Sequence, residues 1–212
     1  MSRAKKTAGK PKTVTSQLRI IGGSWRSRRI SFTAWDGLRP TPDRVRETLF
    51  NWLSFDIEAR SCLDLFAGTG ILGLEALSRG AKTATFVDSS ASSCQQLRQN
   101  VKLLDAGCEP TPHSARTEVL QFNVMNFLQT NPKGKTYEVV FADPPFRQGL
   151  LAPMMTLLES QHWLGESALI YIESEAELTK LDTPENWEEI KQKQAGQVIY
   201  RLFRRHAKNS AS

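Results

Sequence analysis

Three aspartates and a run of glycines have the types and spacing to do chemistry. Asp64 lies in Cys62-Leu-Asp-Leu-Phe-Ala-Gly-Thr-Gly-Ile-Leu-Gly73, Asp88 closes Thr83-Ala-Thr-Phe-Val-Asp88, and Asp143 opens Asp-Pro-Pro-Phe146 after the apolar run Val139 to Ala142. Each carboxylate sits at or near the end of a strand-like run. Between Asp64 and the helical pattern that follows, Gly68 and Gly70 allow a sharp bend and close approach of a ligand, because they lack the side chain that forbids positive φ. A strand, a tight turn and a helix N-terminus make a nucleotide cradle.

The spacing Gly68-x-Gly70-x-x-Gly73 also satisfies the fingerprint that binds a dinucleotide pyrophosphate. Asp64 separates the two readings. A carboxylate just before the glycines repels a pyrophosphate but suits a cationic ligand, such as the amino-acid end of S-adenosylmethionine. Asp88, roughly 20 residues beyond the turn, is placed for both ribose hydroxyls in either nucleotide class. A dehydrogenase is disfavoured by Asp64 alone.

These residues need a sheet to hold them. Leu74 and Leu77 continue a helix that Gly80 ends, giving one right-handed crossover from Asp64 to Asp88. Ser90 caps a second helix with apolar positions at Cys94, Leu97, Val101 and Leu104. Glu118 to Phe122 reads as a third strand, and Asn123, Val124, Met125 and Asn126 at its carboxyl end are placed to edge an adenine. Leu150 to Leu158 reads as a helix and Ala168 to Glu173 as a fifth strand. Two antiparallel strands, 186–194 and 197–204, join at Ala195-Gly196. The loop 105–116 contains His113, which has no partner at ligand spacing, and no metal site is expected.

With Asp143-Pro-Pro-Phe146 the sequence resembles class I S-adenosylmethionine-dependent methyltransferases that modify exocyclic amino groups. Arg39-Pro-Thr-Pro-Asp-Arg-Val-Arg-Glu-Thr-Leu-Phe-Asn-Trp-Leu53 further resembles the signature of the RsmD family, which methylates guanine N2 in 16S ribosomal RNA. The resemblance spans about residues 18 to 205. It implies a Rossmann-like α/β fold: a seven-stranded methyltransferase sheet, mostly parallel with an antiparallel C-terminal hairpin, plus a small N-terminal β-hairpin. It implies S-adenosylmethionine held by Asp64, Phe66, Gly68, Gly70, Asp88, Ser89, Asn123, Val124 and Met125. Transfer would be carried out at Asp143, Pro144, Pro145 and Phe146. Family members often place an acid where this chain has Asn123 and Asn126. A DNA or RNA adenine-N6 methyltransferase would use the same tetrapeptide, and a catalytically inactive nucleic-acid-binding module is a third alternative.

Charge points to the same partner. Of 28 Lys and Arg, nine fall in residues 1–35, where Asp and Glu are absent, so the net +6 is concentrated at one end. A polyanion binding there releases counterions, and nucleic acid is the obvious one. Residues 1–16 read as a disordered basic arm, 17–38 as a hairpin extension, 39–206 as the methyltransferase domain and 207–212 as a disordered tail. The hairpin carries Arg26, Arg28 and Arg29 around Gly22-Gly23, and Trp25 and Trp35 either stack on bases or pack the hairpin onto its neighbour. Thr41 is expected to cap a helix with Pro42 at its first position, leaving Arg39, Arg44 and Arg46 for phosphates unless they pair with Asp43 or Glu47. The resemblance gives Arg39, Thr41 and Arg44 a part in RNA binding. The partner expected is 16S ribosomal RNA, free or within the small subunit, and nothing demands more than a monomer. Three cysteines without a Cys-x-x-Cys pair, and no long apolar run, fit a cytoplasmic protein. Removing residues 1–16 is expected to weaken RNA binding and flatten its salt dependence in filter-binding titrations, with cofactor affinity unchanged.

Overall fold

A computed structural model of the chain describes residues 15–33, 40–105, 116–131 and 133–207. Arg39, Trp35, Cys108, His113, most of the basic arm and the tail from 208 lie outside the described residues. β1 (Thr15–Arg19) and β2 (Arg29–Thr33) pair antiparallel from Thr15↔Thr33 to Arg19↔Arg29. The hairpin thus begins two residues earlier than the sequence pattern suggests, and a truncation that spares it ends at residue 14.

The main sheet has seven strands in the order β5-β4-β3-β6-β7-β9-β8. β3 (Ser61–Leu65), β4 (Thr83–Asp88), β5 (Arg116–Gln121), β6 (Tyr137–Ala142) and β7 (Leu164–Glu175) run parallel. β8 (Trp187–Ala195) and β9 (Val198–Arg205) form the antiparallel end. The chain moves from β3 outward through β4 to β5, then returns to place β6 on the other side of β3. That reversal opens a crevice at the carboxyl ends of β3 and β6, where open α/β sheets bind ligands.

Strand alternation sends side chains to two cores. Cys62, Val139, Phe141, Leu169 and Tyr171 face α1 (Asp43–Trp52), α2 (Ile71–Ser78), α3 (Ala91–Asp105) and the hairpin. Leu63, Leu65, Val140, Ile170 and Ile172 face α4 (Val124–Leu128) and α5 (Leu151–Ser160). Every residue of α2 is buried, so this helix is covered on its outer side as well. The cover is the hairpin loop. Ser24 and Trp25 donate backbone N–H groups to the carbonyl and hydroxyl of Ser78, and the Ser78 hydroxyl donates to the Gly22 carbonyl. Gly23 has φ +73°, and a Cβ there would lie 1.8 Å from the Ser78 carbonyl oxygen. Only glycine permits this approach. Trp25 is 6% exposed, which settles its role as packing.

Two arginines differ from expectation. Arg46 is not left for phosphates: it is fully buried, 2.5 Å from Asp43 and 3.4 Å from Glu75, and it donates to the carbonyls of Arg19 and Thr41. Arg28 reaches carbonyls in the last turn of α3, at Leu103 and Leu104. Nor does Thr41 cap α1: Pro42 occupies the cap position without a side-chain bond, and the Thr41 hydroxyl is turned inward. Arg26, Arg29 and Arg44 are exposed, on the hairpin and on α1. Removing one partner of a buried ion pair strands the other charge, so Arg46→Ala is expected to cost about 3–5 kcal/mol in urea unfolding.

Candidate functional site

β3 ends in a strained turn. Phe66 has φ +57°, a conformation that bulky L-residues adopt only when their surroundings enforce it, and Gly68 and Gly70 follow at +52° and +73°. Three bonds enforce it. Ala67 donates to the Val87 carbonyl at 3.0 Å, Gly68 to Asp88 Oδ2 at 2.7 Å, and Gly73 to Asp64 Oδ2 at 2.9 Å. The Asp64 bond ties the first turn of α2 to β3. A Cβ at Gly73 would lie 2.3 Å from the Phe86 ring, so the third glycine serves close helix–strand packing.

A narrow cleft of about 50 Å³ lies at the sheet reversal, walled by Pro40, Thr41, Asp64, Phe66, Gly68 and Asp143 among others. The structure thus gathers four sequence-predicted residues of the cofactor and transfer sets, Asp64, Phe66, Gly68 and Asp143. Further along the same carboxyl edge Asp88 closes β4 and Ser89 follows it, and Asn123 comes after β5. Asp88 Oδ1 also accepts the Ser90 N–H at 2.7 Å, so both of its oxygens are already held in place. Asn123 spends its amide oxygen capping α4 through the Asn126 N–H at 3.1 Å, which leaves its amide nitrogen for a ligand. The Val124 side chain is in the core, and Met125 is half-buried. Pro144 is buried while Pro145 and Phe146 are exposed. A larger cavity of about 300 Å³ lies beyond Pro144 and Pro145 and contains none of the cradle residues.

The electrostatics of the cleft are one-sided. Burial pushes the Asp64 carboxyl up to about 8, opposed by the Gly73 N–H and reinforced by Asp88. Burial, then Glu173, then Asp64 hold Asp143 well above the carboxylate range. Glu173, not anticipated from sequence, is also raised by burial, although the hydroxyls of Tyr171 and Thr41 favour its charged form. Among the described residues no lysine or arginine pairs with Asp64, Asp143 or Glu173. They do not converge as metal ligands would. The available signal for Glu173 was its position, a carboxylate at the end of the apolar run Ala168 to Ile172.

A crossover sheet with a glycine cradle at its reversal and acids on the following strand ends defines a class I methyltransferase fold. The solved structure of yhhF from Escherichia coli has a TM-score of 0.77 and 48% identity, covering 91% of this chain and all of that one. HI0767 from Haemophilus influenzae has 0.74 and 40%, covering 90% and 99%. The chain matches the family described as "Conserved hypothetical protein 95" over residues 18–204. It is 48% identical to ribosomal RNA small subunit methyltransferase D of Escherichia coli over 93% of this chain and 94% of that protein. It is 43% identical to the Haemophilus influenzae protein of that name over 88% and 93%. The chain belongs to this family, the RsmD family.

Asp64 supplies a pH test. A carboxyl raised from about 3.8 to about 8 keeps its proton in the folded state where the unfolded chain has lost it, so folding stability falls as pH rises across that window. Asp64→Asn retains an acceptor for the Gly73 N–H without the titration. Its urea-unfolding free energy is expected to decline less steeply between pH 5 and 8, by about 1.4 kcal/mol per pH unit.

Proposed function

We propose that this chain transfers a methyl group from S-adenosylmethionine to the exocyclic N2 of a guanine in 16S ribosomal RNA. The observation that carries the reading is a cluster of carboxyls without a counter-cation around a glycine cradle, Asp64 and Glu173 buried and Asp143 half-buried. A cation entering such a cleft favours the ionised form of its carboxyls and completes it, whereas a pyrophosphate would be repelled by every one of them that ionises. The names of the curated relatives supply the ribosomal RNA and the small subunit.

S-adenosylmethionine supplies, when bound, a methyl group on a sulfonium together with a positively charged ammonium. Asp64 and the cradle fit the cationic amino-acid end, and Asp88 is held by Gly68 and Ser90 with lone pairs left for ribose hydroxyls. The guanine amine is a weak nucleophile because its lone pair is delocalised into the ring. Asp143 and the Pro144 carbonyl accept its two hydrogens, localising the lone pair, while the fixed φ of proline holds both acceptors in place. Phe146, 37% exposed at the rim, is available to stack on the base. Exposed Arg26, Arg29 and Arg44 serve phosphate contacts, and a base that leaves its stack reaches the cleft.

The test is transfer of radiolabelled methyl groups to unmodified small subunits, free 16S RNA and DNA, followed by nucleoside analysis. N2-methylguanosine from ribosomal RNA is expected, with Asp143→Ala reducing the rate about 100-fold or more. Label in DNA adenine would replace the substrate. Cofactor binding without transfer to any of the three would favour a binding module. In the same preparations Asp88→Ala is expected to weaken cofactor binding by about 1–3 kcal/mol in calorimetry.

A further inference from the structure

The register of the central strands places Glu173 beside the transfer loop. Asp64 pairs with Phe141 across β3 and β6, and Phe141 with Tyr171 across β6 and β7. Two residues further along the same face come Asp143 and Glu173, one residue beyond the last paired rung, Ala142↔Ile172. Neighbouring strands lie about 4.8 Å apart. The two carboxyls therefore emerge side by side, on the face that looks toward α1.

Glu173 is 4% exposed, and its Oε1 accepts two hydroxyls, Tyr171 at 2.9 Å and Thr41 at 3.0 Å. Such a clamp fixes a buried carboxyl that no cation neutralises. The surrounding groups are Asp143 just beyond β6, Asp64 from β3, Tyr171 on its own strand, Tyr200 opposite it on β9, and Thr41 from the segment before α1. Arg46 is near only through the Thr41 carbonyl, and its own charge is spent on Asp43 and Glu75.

We propose that Glu173 is a positioning residue of the transfer site: clamped by Thr41 and Tyr171 beside Asp143, it makes Asp143 an effective acceptor for the proton the amine releases. The assignment rests on the methyl-transfer reading. In that reaction the nitrogen lone pair forms the N–C bond, the S–C pair returns to sulfur, and the N–H pair stays on nitrogen as the proton passes to the Asp143 carboxylate and then to solvent. The nitrogen becomes strongly acidic as the methyl group arrives, so any carboxylate can take its proton, and the efficiency of the transfer rises as the acceptor's hold on a proton approaches that of a base matched to the working pH. A second carboxyl at its side strengthens that hold, as in any pair of like charges.

The experiment follows the side-chain carboxyl carbons of Asp143 and Glu173 by carbon-13 NMR against pH in the free full-length protein, with Asp143→Asn and Glu173→Gln supplying the assignments. Glu173→Gln keeps an acceptor for both hydroxyls and removes the charge. It is expected to lower the Asp143 midpoint by about one pH unit or more, and Asp143→Asn to lower that of Glu173 reciprocally. In methyl-transfer assays Glu173→Gln is expected to lower kcat about 10-fold and move its acid limb to lower pH, with KM for RNA unchanged. Unchanged midpoints in both variants, with wild-type transfer intact, would overturn the assignment and leave the proposed function standing. Coupled midpoints in a wild-type protein that transfers no methyl group to RNA would overturn the function and the proton-acceptor role with it.

Discussion

The fully buried pair of Arg46 and Glu75 is the contact on which the N-terminal half of the structure depends. Glu75 lies on α2 and accepts the N–H groups of Ile21 and Gly22 at 2.9 and 2.7 Å as well as the guanidinium groups of Arg46 and Arg79. Arg46 in turn holds carbonyls from β1 and from Thr41. One carboxylate and one guanidinium thus join the hairpin, α1, α2 and the segment before α1. Desolvating two such ions is costly, and the cost is offset because nearly every donor and acceptor on them is engaged. What the pair provides is a fixed relation between a basic surface and the segment that leads from Thr41 to the carboxyl edge of the sheet.

The path continues into the cleft through Thr41. Its carbonyl is held by Arg46 while its hydroxyl donates to Glu173 beside Asp143. The exposed arginines of the hairpin and α1 are therefore mounted on a frame that is continuous, bond by bond, as far as Glu173. On the proposed reading, an RNA held by its phosphates at one end would present its base at the other with little freedom left to lose, and that pre-organisation would contribute to the rate.

The cleft holds the opposite kind of electrostatics: buried carboxyls with raised proton affinity around a strained turn. Phe66 at positive φ and the uncompensated acids are local costs that the rest of the fold supports, a combination typical of functional sites. A cation entering such a site favours the charged forms of Asp64 and Asp143 together.

The sequence alone carried most of the sheet and the cradle. Asp64, Gly68, Gly70, Asp88 and Asp143 are legible because their places in the fold are set locally, by a strand end, a turn that needs positive φ and a rigid Pro-Pro loop. The helix after Ser90 is legible too, since the Ser93 N–H does bond the Ser90 hydroxyl. What sequence could not assign is the direction in which ambivalent side chains turn. Arg28, Arg46, Thr41 and Trp25 each suit a surface or an interior, and their short-range neighbours do not choose between the two. The choice is made by partners 54 residues away in the hairpin–Ser78 contact and 132 residues away in the Thr41–Glu173 bond. Local pattern determined which elements form and where the glycine cradle and its acids sit. Only the tertiary structure decided which charges are buried, because burial depends on surfaces that meet after the strands have taken their order.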